Sequence, residues 1–141
     1  MVQTRAEMGE VEKIIRDLHS PYWNERQSAV QRIGAIRDPG MLQELLRLLR
    51  GHKWYIREAA SAGIRALDSP ELVPVLVTCL KEGDEILRNS AVLALGNICC
   101  PETEEVLEKV LDDPDCRVRK SARIALDRVR STRNRSLGIP Q

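Results

Sequence analysis

The spacing of one short pattern constrains this chain more than any other feature. Arg26, Arg57, Arg88 and Arg119 follow one another at intervals of 31 residues. Ala29, Ala60, Ala91 and Ala122 keep the same interval, and so do Ile33, Ile64, Leu95 and Leu126. A period between about 20 and 50 residues marks a repeat architecture, in which one supersecondary unit is copied and stacked. Pro39, Pro70 and Pro101 extend the register, each after a small residue, Asp38, Ser69 or Cys100. Asp and Ser cap helix N-termini, and Pro suits the first helical position because its missing N–H would be unsatisfied there anyway.

Behind each Pro runs an apolar pattern of helical period. It reads Leu42, Leu45, Leu46, Leu49, then Val73, Leu76, Val77, Leu80, then Val106, Leu107, Val110, Leu111. Stepping back 31 residues from the first set lands on Val11, Ile14, Ile15 and Leu18, with Met8 in the place of Pro. Four units then tile the chain, at about 8–38, 39–69, 70–100 and 101–131, each a helix A, a short turn and a helix B. The turns SPYW, RGHK, EGDE and DDPD carry the Pro, Gly and Asp of helix stops. Pro74 falls about five residues into the third A helix, near enough to its first turn to leave the helix formed with a small bend.

Helix B has one apolar stripe. Counted from the repeated Arg, positions −1, +3, +7 and +10 hold Ile56, Ala60, Ile64 and Leu67, then Leu87, Ala91, Leu95 and Ile98, then Val118, Ala122, Leu126 and Val129. Ser28, Ala59, Ser90 and Ser121 recur at position +2, and such small residues let helices approach closely. A single repeat cannot bury its stripe alone, so stacking builds one continuous core.

Bulk properties narrow the function classes. With 141 residues and a net charge of +1, the chain is large enough for one domain and has no global field to recruit nucleic acid or a membrane. It has no run of 18 apolar residues and no apolar leader at its start, so neither a membrane span nor a secretory signal is expected. The four cysteines, Cys79, Cys99, Cys100 and Cys116, form no CxxC pair, which points to a reducing, cytoplasmic setting. Phe is absent and aromatics are 3%, so the core is aliphatic.

The phrases YIREAASAGI, EILRNSAVLALGNI and CRVRKSARIAL, with DP, SP or CP between them, resemble HEAT repeats. More closely they resemble the short variant named after phycobilisome lyases, with its D-x-x-V-R-x-x-A-A-x-A-L-G pattern. The resemblance covers about residues 8–131. The first repeat departs most, with Glu25 at an aliphatic position and Tyr22-Trp23 in the turn, and the fourth has Asp127 where Gly96 stands. Both departures suit terminal caps. The resemblance implies an all-α fold, a right-handed α-solenoid of four helical hairpins and about eight helices, whose B helices line a concave face that binds other proteins. The expected domain is 1–131, followed by a flexible basic tail at 132–141. Some relatives act with bilin lyases. A related helical-repeat family of di-iron hydroxylases uses His-Glu pairs, and neither His19 nor His52 precedes a Glu, so that reading is dropped.

Each candidate site has a plainer structural role beside the functional one. Arg26, Arg57, Arg88 and Arg119 form a ladder that could hold an acidic partner, or could bond turn carbonyls and an acid such as Asp84 or Asp115. The stripe opposite the core holds Gln27, Gln31 and Gly34, then Glu58, Ala62 and Arg65, then Asn89, Leu93 and Gly96, then Lys120, Ile124 and Asp127. That mixture of small, charged and isolated apolar residues suits a binding face, although single exposed apolar residues are ordinary. Trp23 and Trp54 are 31 residues apart and, with Tyr22 and Tyr55, could stack as partner anchors along one edge or seal the N-terminal end. Residues 101–115 carry seven acids and one base, and residues 117–135 carry eight bases and one acid. The basic helix and tail could touch phosphates or an acidic protein, or could answer the acidic helix beside them.

No nucleophile, base and orienter constellation, phosphate loop or metal spacing stands out, so the expectation is a non-catalytic scaffold without cofactor or metal. Its partner is another protein, held through Glu58, Ala62, Arg65, Asn89, Leu93, Lys120 and Ile124 with Trp23, Trp54 and Tyr55. One alternative is an accessory subunit of a bilin lyase or other cofactor-modifying enzyme. Another is nucleic-acid or acidic-partner binding through the C-terminal helix, with nucleic acid the less expected of the two. A monomer or weak dimer is expected.

Overall fold

The computed structural model describes residues 5–140, with side chains from residue 9 onward. The side chain of Met8, and the ends of the expected domain and tail at 1–4 and 141, lie outside the described residues. Eight α-helices and no strand make up the described residues. They are α1 (Arg5–Leu18), α2 (Trp23–Gly34), α3 (Pro39–Leu49), α4 (Trp54–Ile64), α5 (Val73–Glu82), α6 (Glu85–Ile98), α7 (Glu104–Val110) and α8 (Cys116–Ser136).

The four B helices, α2, α4, α6 and α8, pack each on the next, and α1, α3 and α5 do the same in a second layer, with α7 against α8. This is an all-α solenoid with one continuous core. The stripe read from the wheel is its B-helix half: Ile56, Ala60, Ile64, Leu67, Leu87, Ala91, Leu95, Val118, Ala122, Leu126 and Val129 are all buried, and Ile98 packs partly buried against them. From the A layer come Val11, Ile14, Leu18, Leu42, Leu45, Leu49, Leu76 and Leu107. Burying each such aliphatic side chain contributes about 1.5–3 kcal/mol.

The helix starts differ from the sequence reading in physical detail. Asp38 caps α3, accepting from the Met41 N–H at 3.2 Å. Ser69 and Cys100 make no side-chain cap. Pro70 and Pro101 instead open three-residue 3₁₀ turns, Pro70–Leu72 and Pro101–Thr103, before α5 and α7. A 3₁₀ turn closes i to i+3 bonds and ends after one turn, so α5 begins only at Val73. Pro74 therefore sits in the first α-helical turn, where its missing N–H removes nothing.

At the other end, α8 continues through residues 132–136, which the sequence reading assigned to a flexible tail. Arg133 on α8 donates to both carboxylate oxygens of Glu104, at 2.7 and 2.8 Å, and this contact holds the extra turn. Among the described residues no helix is long and apolar enough to cross a membrane.

Candidate interaction surface on the B helices

Close approach of the B helices defines the surface. A Cβ on Gly63 of α4 would lie 2.6 Å from both the Ile33 Cβ and the Val30 carbonyl oxygen of α2. A Cβ on Gly96 of α6 would lie 3.1 Å from the Cα of Ala125 on α8. Gly96 is therefore buried between B helices, although the wheel placed it on the open stripe. The wheel treats one helix at a time and cannot show that its neighbour presses on that position.

With the backbones this close, the rest of the stripe points outward. Glu58, Ala62, Arg65, Lys120 and Ile124 are exposed, as are Gln27, Gln31 and Asp127, while Asn89 and Leu93 are half-buried. Asn89 is engaged with the next repeat, its Oδ1 accepting from the Ser121 hydroxyl at 2.6 Å. A second cross-repeat chain runs beside it. Asn97 Nδ2 donates to the Arg65 carbonyl at 2.5 Å, and Arg128 donates to Asn97 Oδ1 at 3.0 Å.

The repeated arginines turn into the A–B turns. Arg26 donates to the Ser20 carbonyl at 2.8 Å, Arg57 to the His52 carbonyl, Arg88 to the Gly83 carbonyl at 3.0 Å, and Arg119 to the carbonyls of Asp113 and Pro114 at 2.7 and 3.0 Å. Two of them also reach an acid in the next repeat. Arg57 meets Asp84, and Arg88 grips Asp113 with Nε and Nη2 at 2.9 and 3.1 Å. The acid facing Arg88 is thus Asp113 and not Asp115, because Asp115 turns its carboxylate to the first N–H groups of α8 at 2.8 and 3.3 Å. Burial pushes the Asp113 carboxyl up, but the Arg88 guanidinium and the Asp115 backbone N–H outweigh it and hold it below its ordinary range. The Arg88 guanidinium is raised in turn by Asp113.

The aromatics do not seal the stack. Trp23 is 67% exposed and Trp54 63%, both at B-helix starts, and Tyr55 is 49% exposed. The ring that Trp54 meets is its neighbour Tyr55, edge to face with centroids 5.9 Å apart. Beside them, His19 and His52 bring their rings to 5.1 Å across the first two A–B turns, a contact that the sequence reading missed. The helical period places both histidines at A-helix ends, but only the stacking of repeats makes them neighbours.

Cys79 is buried, and burial pushes its thiol up to about 12, so it stays a neutral core side chain. Among the described residues, no three His, Cys, Asp or Glu side chains gather as metal ligands.

Among solved structures, a designed armadillo repeat protein, YIII(Dq)4CqI, is similar at a TM-score of 0.45 and 21% identity, over 88% of this chain and 66% of that one. The chain thus spans about two thirds of the length of that protein. None of the curated proteins matches the chain. Residues 87–113 match the model of the PBS lyase HEAT-like repeat. Residues 11–96, more than half the chain, match the model of HEAT repeats, and the chain belongs to that family.

Proposed function

We propose that this protein is a non-catalytic binding scaffold that holds a protein partner on the exposed face of its B helices. One observation carries the reading. Among the described residues, the exposed large apolar side chains are Tyr22, Trp23, Trp54, Tyr55, Ile124, Leu137 and Ile139. All lie on a B helix, at its cap, or in the segment that follows the last one, and none lies on an A helix. Large apolar groups held in water are the anchors from which interfaces draw their affinity. A solenoid presents them in register along one surface because each repeat repeats the geometry.

The residues of this surface are Glu58, Ala62, Arg65, Asn89, Leu93, Lys120 and Ile124, with Trp23, Trp54 and Tyr55 along the rim of the first two repeats. The arginine ladder, Arg26, Arg57, Arg88 and Arg119, supports the reading from behind. Its guanidinium groups are occupied by turn carbonyls, and Arg57 and Arg88 also join their repeats to the next through Asp84 and Asp113, which leaves recognition to the B-helix face.

The test is affinity capture with three forms of the protein. One is wild type, one carries Ile124→Asp and Trp54→Ala, and one carries Glu12→Arg and Glu105→Arg on the A layer. Proteins held by the first and third forms and lost by the second are the expected result. The same captured set from all three forms would rule out the B-helix face.

A further inference from the structure

We infer that the C-terminal half of the B-helix face, formed by α6 and α8, is built for an acidic partner segment that carries an aliphatic anchor. This rests on the B-helix face being the binding surface, and it adds the chemistry of what binds there.

The charges of the last repeat divide between different sides of α8. Four of the acids of that repeat are committed away from the B-helix face, and Asp127 stands exposed at its edge. Glu104 takes Arg133 at 2.7 Å and Glu108 takes Arg130 at 2.7 Å. Asp113 takes Arg88, and Asp115 caps α8. The bases of α8 therefore point different ways, with Arg119 turned to the carbonyls of its own A–B turn. Arg130 and Arg133 answer the acidic helix α7. Arg117, Lys120 and Arg128 stand exposed on another side, around Ile124, while Arg123, seven residues before Arg130, shares the Arg130 side. Among the described residues no carboxylate pairs with Lys120, Arg123 or Arg128, and Arg117 has only the capping Asp115 at 3.7 Å. Arg128 is positioned by neutral Asn97 at 3.0 Å, which leaves its charge unanswered. The acid and base runs that nearly cancel in the sequence are thus separated in space.

The apolar part of the site lies among these charges. Ile124 is 50% exposed one turn from Lys120, and half-buried Leu93 occupies the same register position on α6. A positive face around an aliphatic patch is complementary to a segment with Asp or Glu around Leu, Ile or Val. Such complementarity mainly sets association rate and choice of partner. Nucleic acid fits less well. A nucleic acid gives the exposed side chain of Ile124 no aliphatic counterpart.

The experiment is selection of a displayed library of random peptides against the full chain, followed by affinity measurement on the enriched sequences. Short single-stranded and duplex oligonucleotides serve as parallel probes. Enriched peptides should be acidic with clustered aliphatic residues. Their affinity should fall at least about tenfold with Lys120→Glu/Arg128→Glu and with Ile124→Asp, and should weaken as salt rises from ~50 to ~300 mM. Lys120 is exposed, so Lys120→Glu alone gives the same reading if the double variant melts early. Enriched peptides without acidic bias that are still lost with Ile124→Asp would overturn this inference and leave the B-helix face standing as the site. Peptides indifferent to every one of these variants, or no enrichment at all, would overturn both. An oligonucleotide that binds more tightly than any peptide, and is lost with Lys120→Glu/Arg128→Glu, would make nucleic acid the occupant and overturn the acidic segment.

Discussion

Gly63→Ala tests the close B-helix contact directly. In an ordinary helix interior the change stabilises by about 1 kcal/mol, because Ala loses less conformational freedom than Gly. At Gly63 the new methyl would sit 2.6 Å from the Ile33 Cβ and 2.6 Å from the Val30 carbonyl oxygen. Neither atom is the end of a flexible side chain, so α2 must move. Overpacking of this kind costs about 1–3 kcal/mol. The net effect is a loss of up to about 2 kcal/mol, or several degrees in Tm for a chain of this size. Gly9→Ala is the internal control, since its methyl would meet only the Lys13 Cε, at 3.9 Å. It should stabilise by up to about 1 kcal/mol. Because a solenoid is held by nearest-neighbour interfaces, the damage should stay local. Amide exchange should accelerate in α1 and α2 and stay slow in α6 and α8. A rise in Tm for Gly63→Ala like that for Gly9→Ala, or protection falling evenly along the chain, would refute a close α2–α4 contact.

Four further outcomes follow from the same structure. Asp113→Asn should cost about 1–2 kcal/mol in chemical denaturation, since it leaves a half-buried guanidinium without its acid. The folded Asp113 carboxyl lies below its unfolded value of 3.8, so its contribution is full above that value and is lost as pH falls through the lower folded value. The Asn variant should accordingly lose less stability than wild type below about pH 4. In thiol labelling of the native protein, exposed Cys116 should react quickly and Cys79 only on unfolding, because its thiol is pushed up to about 12. Arg133→Ala should release the last turn of α8, seen as faster amide exchange over 132–136 at a cost of about 0.5 kcal/mol, as for an exposed ion pair.

The period of 31 residues determined most of the fold without any help from the structure. A recurring apolar stripe must be buried and one repeat cannot bury it, so the helices, their pairing and most of the core were legible from spacing alone. Leu72, Ile86, Val92, Ala94 and Ala125 are buried outside the stripes read, and Val73, Val77, Leu80, Val106, Val110 and Leu111 are only half-buried. The stripe from Ile56 to Val129 and the A-helix set from Val11 to Leu107 are local-periodicity statements, and local periodicity survives folding. Helix starts were less legible. Whether Pro70 opens an α-helix or a 3₁₀ turn depends on small differences in backbone geometry that the same Pro permits either way.

The site was legible only as a list of outward positions. Burial of Gly96 by Ala125, the turn of Asp115 toward its own helix, and the His19–His52 contact each depend on how one repeat sits on the next. The charge pattern makes the same point most clearly. In sequence, acids and bases of the last repeat nearly cancel. In space, Glu104 and Glu108 take Arg130 and Arg133 on one side of α8, and Lys120 and Arg128 are left on another. Composition counts charges, whereas a helix sorts them by angle and its neighbours decide which are answered. Periodicity alone makes this chain a stack of helical hairpins with an aliphatic core. Which outward side chains stay exposed, and which bases of α8 go without an acid, follows from the contacts between repeats.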